Sequence, residues 1–360
     1  MEPGSSATLP DRSPGPDAPE KEKLLVWLGN PFFSGAMPRF GWKLLYRPCA
    51  PGEALNWDNV LDLSGGEIPD AVVAADTSGP PLLTGVEEFP CLTAFYSVDS
   101  HIHSWHPVYA QGFDFCLVSL KKHLGAFTAG RFGPDRVRWS PPYAPDHARP
   151  PSVMPDPVHD LLFVGTVRPE LAPLRCSFLD AVRERCPSLY VTTGKFAELF
   201  PLAKLVLNEC SNDELNFRVF EAMGCGACLL TPDIGPDISE LFVNGKELVL
   251  YPSRDAVALV ELARELLADD AKRKAIAAAG LAAIDRGHRA GDRARALAEH
   301  LHFLTDSGQG AAMVAERKKI APELFTNLLR PLYLHHAETI DFPPLRDHYL
   351  RAARRARPGR

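Results

Sequence analysis

From residue 24 onward, short continuous apolar runs alternate with polar loops and amphipathic segments. Strands that are covered on both faces read in this way, whereas half-wet strands alternate residue by residue. The first run, LLVWLG at 24–29, is closed by Asn30-Pro31 and a loop carrying Phe32, Phe33, Ser34 and Gly35. Further strands are predicted at 43–46, 70–75, 91–98, 113–120 and 136–140, each bounded by Gly, Pro, Asp or Asn. The helical patterns between them are short, so this half specifies its topology less fully than the second. From 160 the alternation is regular: strands at 160–166, 189–193, 205–207, 227–230 and 247–251 are separated by helical patterns near 174–185, 197–202 and 217–223. Helices at 254–268 and 271–284 follow. The helix at 174–185 places Leu174, Phe178, Leu179 and Val182 on one face. Regular β/α alternation predicts a parallel, right-handed, doubly wound unit.

Two stretches break the pattern. Residues 1–22 are rich in Pro, Gly, Ser and charge and cannot bury enough surface to offset ordering entropy, which predicts disorder. Residues 141–158 hold seven prolines in eighteen positions, a stiff connector that is neither helix nor central strand. The expected organisation is therefore an N-terminal segment (1–22), a Rossmann-like domain (23–150), a second Rossmann-like domain (151–305) and a helical extension (306–360). The extension carries a helix near 311–329 and a basic end at 351–360, read as a solvated tail or a weak anionic contact.

Composition narrows the class. The 360 residues are 46% apolar and 23% charged, with a formal net charge of -6, enough chain for two cores and too acidic for general nucleic-acid or membrane-surface binding. No apolar run has the length of a membrane span and the start lacks a charged-then-apolar signal, so a cytoplasmic protein without a transmembrane segment is expected. Eight scattered cysteines suit reduced thiols better than a disulfide framework. Cys225-x-x-Cys228 has no second pair at zinc spacing and falls at a helix end, where small residues fit a tight turn.

The chemistry concentrates in 205–232, LVLNECSNDELNFRVFEAMGCGACLLTP, a βαβ unit whose strand runs into an acid-bearing loop. In open α/β sheets ligands bind at the carboxyl ends of the strands, where a helix start offers N–H groups and a positive dipole end to an anion. Asp213 and Glu221, eight apart, bracket that helix start; carboxylates repel phosphate, so hydroxyls of a sugar or ribose are their natural partners. Ser211-x-x-Glu214 also fits a capping box, leaving Glu214 between cap and ligand contact. Arg218 lies at a helix start, where the dipole gives a cation no reason to be, so an anionic ligand explains it better. In the first half, Asp99, His101, His103 and His106 follow a strand directly. They read as metal ligands, as a cleft-lining loop or as surface.

The segment LNFRVFEAMGCGACLLT, followed by SELFVNGKELVLY, resembles the nucleotide-sugar-binding domain of CgeB-like (spore-maturation type) glycosyltransferases, over about 160–283. PDAVVAADTSGPP and TAFYSVDSH resemble the first domain of the same group more loosely. The resemblance implies the GT-B fold: α/β, two Rossmann-like doubly wound domains facing across a cleft. It implies a sugar moved from a nucleotide-sugar (UDP-, GDP- or dTDP-linked) to an acceptor hydroxyl on a carbohydrate, protein or cell-surface glycan, with retention and without a bound metal or permanent cofactor. In the wider Glu-x7-Glu group the first acid meets the donor sugar and the second the ribose, which puts Asp213 or Glu214 on the sugar and Glu221 on the ribose. Asp in place of the first Glu departs from the pattern. Phosphate contacts would come from Arg218, Asn216 and the helix start, from Arg175 with Arg168 as competitor, and from the strand end at Gly165; Gly235 and Glu240 would approach the donor sugar. Asp99 or His101 would orient the acceptor. A nucleotide-sugar epimerase or phosphorylase of the same fold, or a non-catalytic binding protein, is the alternative.

Overall fold

The computed structural model of the chain describes residues 22–210 and 212–354. The expectation of disorder at 1–22 thus lies, but for Glu22, outside the described residues, as do Ser211 and the basic end beyond Arg354.

Two parallel sheets form as the apolar runs predict. The first contains β1 (Lys23–Gly29), β2 (Trp42–Arg47), β3 (Ala71–Ala75), β4 (Leu92–Ser97), β5 (Phe115–Val118) and β6 (Val137–Trp139), in the order β2-β1-β3-β4-β5-β6. The second contains β7 (His159–Val164), β8 (Leu189–Thr192), β9 (Ala203–Leu207), β10 (Cys228–Pro232) and β11 (Val249–Tyr251), in the order β11-β10-β9-β7-β8. Strand order reverses between β1 and β3 in one sheet and between β7 and β9 in the other. These switch points open the crevices in which α/β sheets hold ligands.

The helices of eight residues or more are α1 (Trp57–Ser64), α2 (Pro173–Arg185), α3 (Phe217–Gly224), α4 (Ala256–Ala268), α5 (Asp270–Gly287), α6 (Ala290–Asp306), α7 (Gln309–Leu324), α8 (Arg330–Thr339) and α9 (Pro343–Ala353). Helices α2 to α5 cover the second sheet, with Val219, Phe220 and Met223 of α3 on one face and Phe178, Leu179, Leu259 and Ala263 on the other. Helix α6 then returns to the first domain, where Ala294, Leu297, Ala298 and Leu301 pack against Trp27, Trp42 and Val73. On the opposite face of that sheet, Leu332, Tyr333, Leu345 and Tyr349 of α8 and α9 join Val26, Val72 and Phe95. The return to the first sheet thus begins at Ala290, and the segment expected as an extension from 306 supplies core to the first domain. Its short inter-strand helices cannot cover that sheet alone, so the sheet needs these distant helices.

Arg317 of α7 is the anchor. Fully buried, its Nε lies 2.9 Å from Asp114 Oδ1, Nη2 donates to the carbonyls of Phe89 and Cys91 at 2.9 Å each, and Nη1 donates to Val86 O. Asp114 also accepts the N–H and hydroxyl of Thr93. A buried pair holds only when its other hydrogen-bonding positions are filled in this way.

The chain crosses between domains at 141–158 and at 287–290, and the two crossings are tied together. Ala144 N–H donates to His288 O and Ala290 N–H to Ala144 O, at 2.9 and 3.0 Å. The proline-rich crossing brings many carbonyls and few N–H donors, and arginines meet them: Arg293 donates to Pro141 O (2.9 Å) and Pro142 O (3.1 Å), and buried Arg289 to Gly224 O (3.3 Å) and Ala148 O. All eight cysteines are free thiols, and among the described residues no helix is long and apolar enough to cross a membrane.

Candidate active site

The carboxyl ends of β7 and β9, either side of the switch point, place Gly165 and the 208–216 loop together at the start of α3. Gly165 is closely covered: a Cβ there would sit 3.0 Å from Arg218 Nη2 and 3.1 Å from the Phe163 ring, so a side chain would need one of them to give way. Arg218 and Arg175 lie over that same ring, with guanidinium carbons 5.3 and 5.9 Å from its centroid. Arg175 is balanced, its Nε 2.6 Å from buried Glu209 Oε2 and its Nη1 donating to Thr166 O. Arg218 takes no hydrogen bond and no salt bridge among the described residues, and burial, then the neighbouring Arg175, work against its charge while Glu221 supports it. The start of α3 has no side-chain cap. The amide of Asn216, at the cap position, instead donates to Asn208 Oδ1 at 3.2 Å, and its own Oδ1 is buried without a partner. Uncapped N–H groups, the positive end of the helix and an unpaired guanidinium thus converge on one crevice.

Glu221 lies one turn along α3. Burial pushes its carboxyl up from the ordinary range, offset in part by Arg218, and no hydrogen bond reaches it among the described residues. It faces Tyr143 of the crossing segment closely enough to disfavour that phenol's ionisation.

The acidic loop is arranged differently. Asp213 has a left-handed backbone, φ 51°, and its carboxylate accepts from Ser253 Oγ at 2.8 Å and lies 3.5 Å from Arg254. Glu214 turns back to accept the N–H of Asn212 at 2.7 Å; the other half of the expected capping box, Ser211, lies outside the described residues. Gly235, after β10, has φ 78° and ψ −145°, a conformation open to glycine alone, and nothing stands where its Cβ would be. Glu240 pairs with Lys121 of the first domain.

The facing wall is built at the first switch point. Asn30 Nδ2 donates to Asp76 O across it at 2.8 Å. Asp76, buried after β3, accepts the N–H groups of Ser78, Val98 and Asp99, which sets the start of the loop bearing Asp99 and His101. His106 closes the loop, its Nδ1 2.8 Å from Ser97 Oγ, and burial holds it neutral with a pKa near 3. His101 Nδ1 and His103 Nε2 are buried without partners, and among the described residues no three His, Cys, Asp or Glu side chains are grouped to hold a metal ion. Phe32, at φ 38°, stacks on Phe217 of α3 with centroids 6.1 Å apart, so the two walls touch through aromatic faces. Beside it a cavity of about 440 Å³ is lined by Asn30, Phe33, Arg39, Tyr143 and Asp146.

The structure therefore brings Gly165, Arg175, Asn216, Arg218 and Glu221 together, and sets Asp213, Glu214, Gly235 and Glu240 along the next two loops. Asp99 and His101 stand on the opposite domain. Sequence reasoning missed Glu209, which neutralises Arg175, and Lys121 and Lys122, although they directly follow a strand end at the crevice.

A family model described as "Glycosyl transferase-like" matches residues 183–299. Among solved structures, the HepE protein of Anabaena in complex with UDP and glucose aligns with a TM-score of 0.55 and 12% identity, covering 77% of this chain and 98% of its own. Sucrose-phosphate synthase from Thermosynechococcus elongatus aligns at 0.54 and 10%, covering 79% and 100%. A glycosyltransferase from Rickettsia africae aligns at 0.54 and 9%, covering 79% and 99%. No curated protein matches the chain by sequence. The fold is GT-B: two Rossmann-like parallel-sheet domains facing across a cleft.

Proposed function

We propose that the protein is a glycosyltransferase that moves a sugar from a nucleotide-sugar to an acceptor hydroxyl. The observation that carries this reading is Arg218, a half-buried guanidinium with no hydrogen-bond or salt-bridge partner among the described residues, at the uncapped start of α3. A diphosphate there would meet helix N–H groups, Arg218 and the Arg175–Glu209 pair, and Glu221 would accept from ribose hydroxyls. As the glycosidic bond to the acceptor forms and the bond to the diphosphate breaks, negative charge grows on the leaving phosphate. Fixed positive charge aimed at that point is worth most where water is excluded. The UDP held by HepE supports a nucleoside diphosphate in this crevice. Retention, independence from metal and the CgeB-like subgroup are proposed on the 213–232 motif; Asp99 and His101 are proposed to face the acceptor. Asp213 and Glu240 are proposed to bound the sugar.

One observation favours a non-catalytic binding protein: the two acids expected at the sugar, Asp213 and Glu214, are already engaged within the second domain. Thermal-shift measurement against UDP, GDP, dTDP and their glucose conjugates, followed by acceptor-dependent release of nucleoside diphosphate, separates the cases. A ligand at one hundred times its Kd stabilises by about 2.7 kcal/mol. A shift with turnover supports transfer, a shift without turnover supports binding alone, and no shift with any nucleotide rejects both.

A further inference from the structure

One turn of the first domain, Lys121–His123, which follows β5, meets two of the second domain's loops across the cleft, the one after β10 and the acidic loop. Lys121 pairs with Glu240. The backbone N–H groups of Lys121 and Lys122 favour the ionised form of Asp237, whose Oδ2 is buried without a hydrogen-bond partner. Lys122 Nζ donates to the carbonyl of Asp213 at 2.5 Å and to that of Asn212 at 3.4 Å, and makes no salt bridge among the described residues. Its hydrogen bonds therefore go to the backbone of the acidic loop, while its charge also favours ionised Asp237.

That backbone needs holding. Asp213 is one of four non-glycine residues with positive φ among the described residues, and such a conformation persists only where the surroundings fix it. Its carboxylate is fastened to Ser253 and Arg254 of its own domain, while its carbonyl is fastened from the other side of the cleft. Opening the cleft removes the second fastening and leaves the first.

We propose that Lys122 is a positioning residue for the donor sugar, setting the acidic loop from the acceptor-side domain so that the sugar end of the donor site takes shape only in the closed molecule. This rests on the transferase reading. The diphosphate end needs no such help, because Arg218, Arg175, Glu221 and the start of α3 all belong to the second domain. The two ends of one ligand should then respond differently to the loss of one lysine.

The test is calorimetric titration of the full chain, as wild type, Lys122→Met and Lys122→Arg, with UDP, GDP, dTDP and their glucose conjugates. For the pair that wild type binds, Lys122→Met is expected to keep its affinity for the nucleoside diphosphate within about twofold and to bind the nucleotide-sugar about tenfold more weakly, as for loss of one charge-assisted hydrogen bond. Lys122→Arg is expected to restore most of the difference. Equal losses for both ligands, or none for either, overturn the proposal. Wild type that binds no member of the panel overturns the transferase reading and this inference with it, whereas wild-type binding with equal losses overturns this inference alone.

Discussion

The two domains are assembled in opposite ways. The second is one unbroken run from β7 to α5, and the residues gathered at its crevice, from Gly165 to Glu221, all come from that run. The first is closed only when α6 to α9 come back from beyond the second domain, and its anchor joins Arg317 to Asp114 across 203 positions. What differs is where information sits. A contiguous β/α unit can carry a complete anion site on its own motif, whereas a domain stitched from two distant segments contributes a wall whose shape depends on long-range contacts. The cleft chemistry follows that division, with the donor groups all on the second domain and the opposing wall set by Asp76, His106 and the Lys121–His123 turn.

The comparison breaks most visibly at Arg317. Arg317→Met strands the Asp114 carboxylate in the core and is expected to cost the first domain about 3–5 kcal/mol. All five tryptophans, Trp27, Trp42, Trp57, Trp105 and Trp139, lie in that domain, so tryptophan-detected urea unfolding reads it separately from the second. Removing both charges, with Asp114→Leu added, is expected to recover much of the loss; an unchanged midpoint in Arg317→Met would show that the returning helices do not anchor the sheet.

Acid is the next lever. Burial lowers His106 to about 3 and His300 and His336 to about 4 from 6.5, and all three belong to the first domain. The unfolded chain takes up protons near 6.5 that the folded domain refuses, so this stability is present above that value and is lost as pH falls toward 4. The slope is about 1.4 kcal/mol per pH unit for each proton fully refused. Tryptophan-detected stability is therefore expected to fall from pH 7 to 5, and His106→Gln to flatten that fall. A midpoint independent of pH in this window would contradict the burial of these imidazoles.

Glu221 gives the smallest effect and the opposite sign. Its folded pKa is raised by burial, so ionisation costs the second domain stability as pH rises through that range. Glu221→Gln is expected to raise the melting temperature slightly at about pH 7 and to leave it unchanged at about pH 3.5, where the carboxyl is protonated in both states. The same change is expected to weaken nucleoside diphosphate binding about tenfold. A variant that is no more stable at neutral pH, or that binds as tightly, separates Glu221 from the role given to it.

Much of this was legible in the chain. The strands fall close to where the apolar runs place them, because strands buried on both faces must be continuously apolar. The motif around Arg218 and Glu221 could be read because one helix turn holds both residues. The destination of α6 to α9 was not legible: nothing in residues 290–353 says which sheet their apolar faces cover, since that is settled by how the two crossings run side by side at Ala144 and Ala290. The partners of charged residues were hidden for the same reason. Arg175 meets Glu209, Glu240 meets Lys121, and Asp213 meets Ser253, in each case across a gap that only the fold closes.

The central claim is that the second domain holds a nucleoside diphosphate at the start of α3 through Arg218. Its most direct test is calorimetric titration of wild type and Arg218→Met with the nucleoside diphosphate that wild type binds. Loss of a charge-assisted contact at a partly buried site is expected to weaken binding about 10- to 100-fold while the tryptophan-detected stability of the first domain stays the same. Equal affinity in the two proteins would place the diphosphate elsewhere and contradict the account.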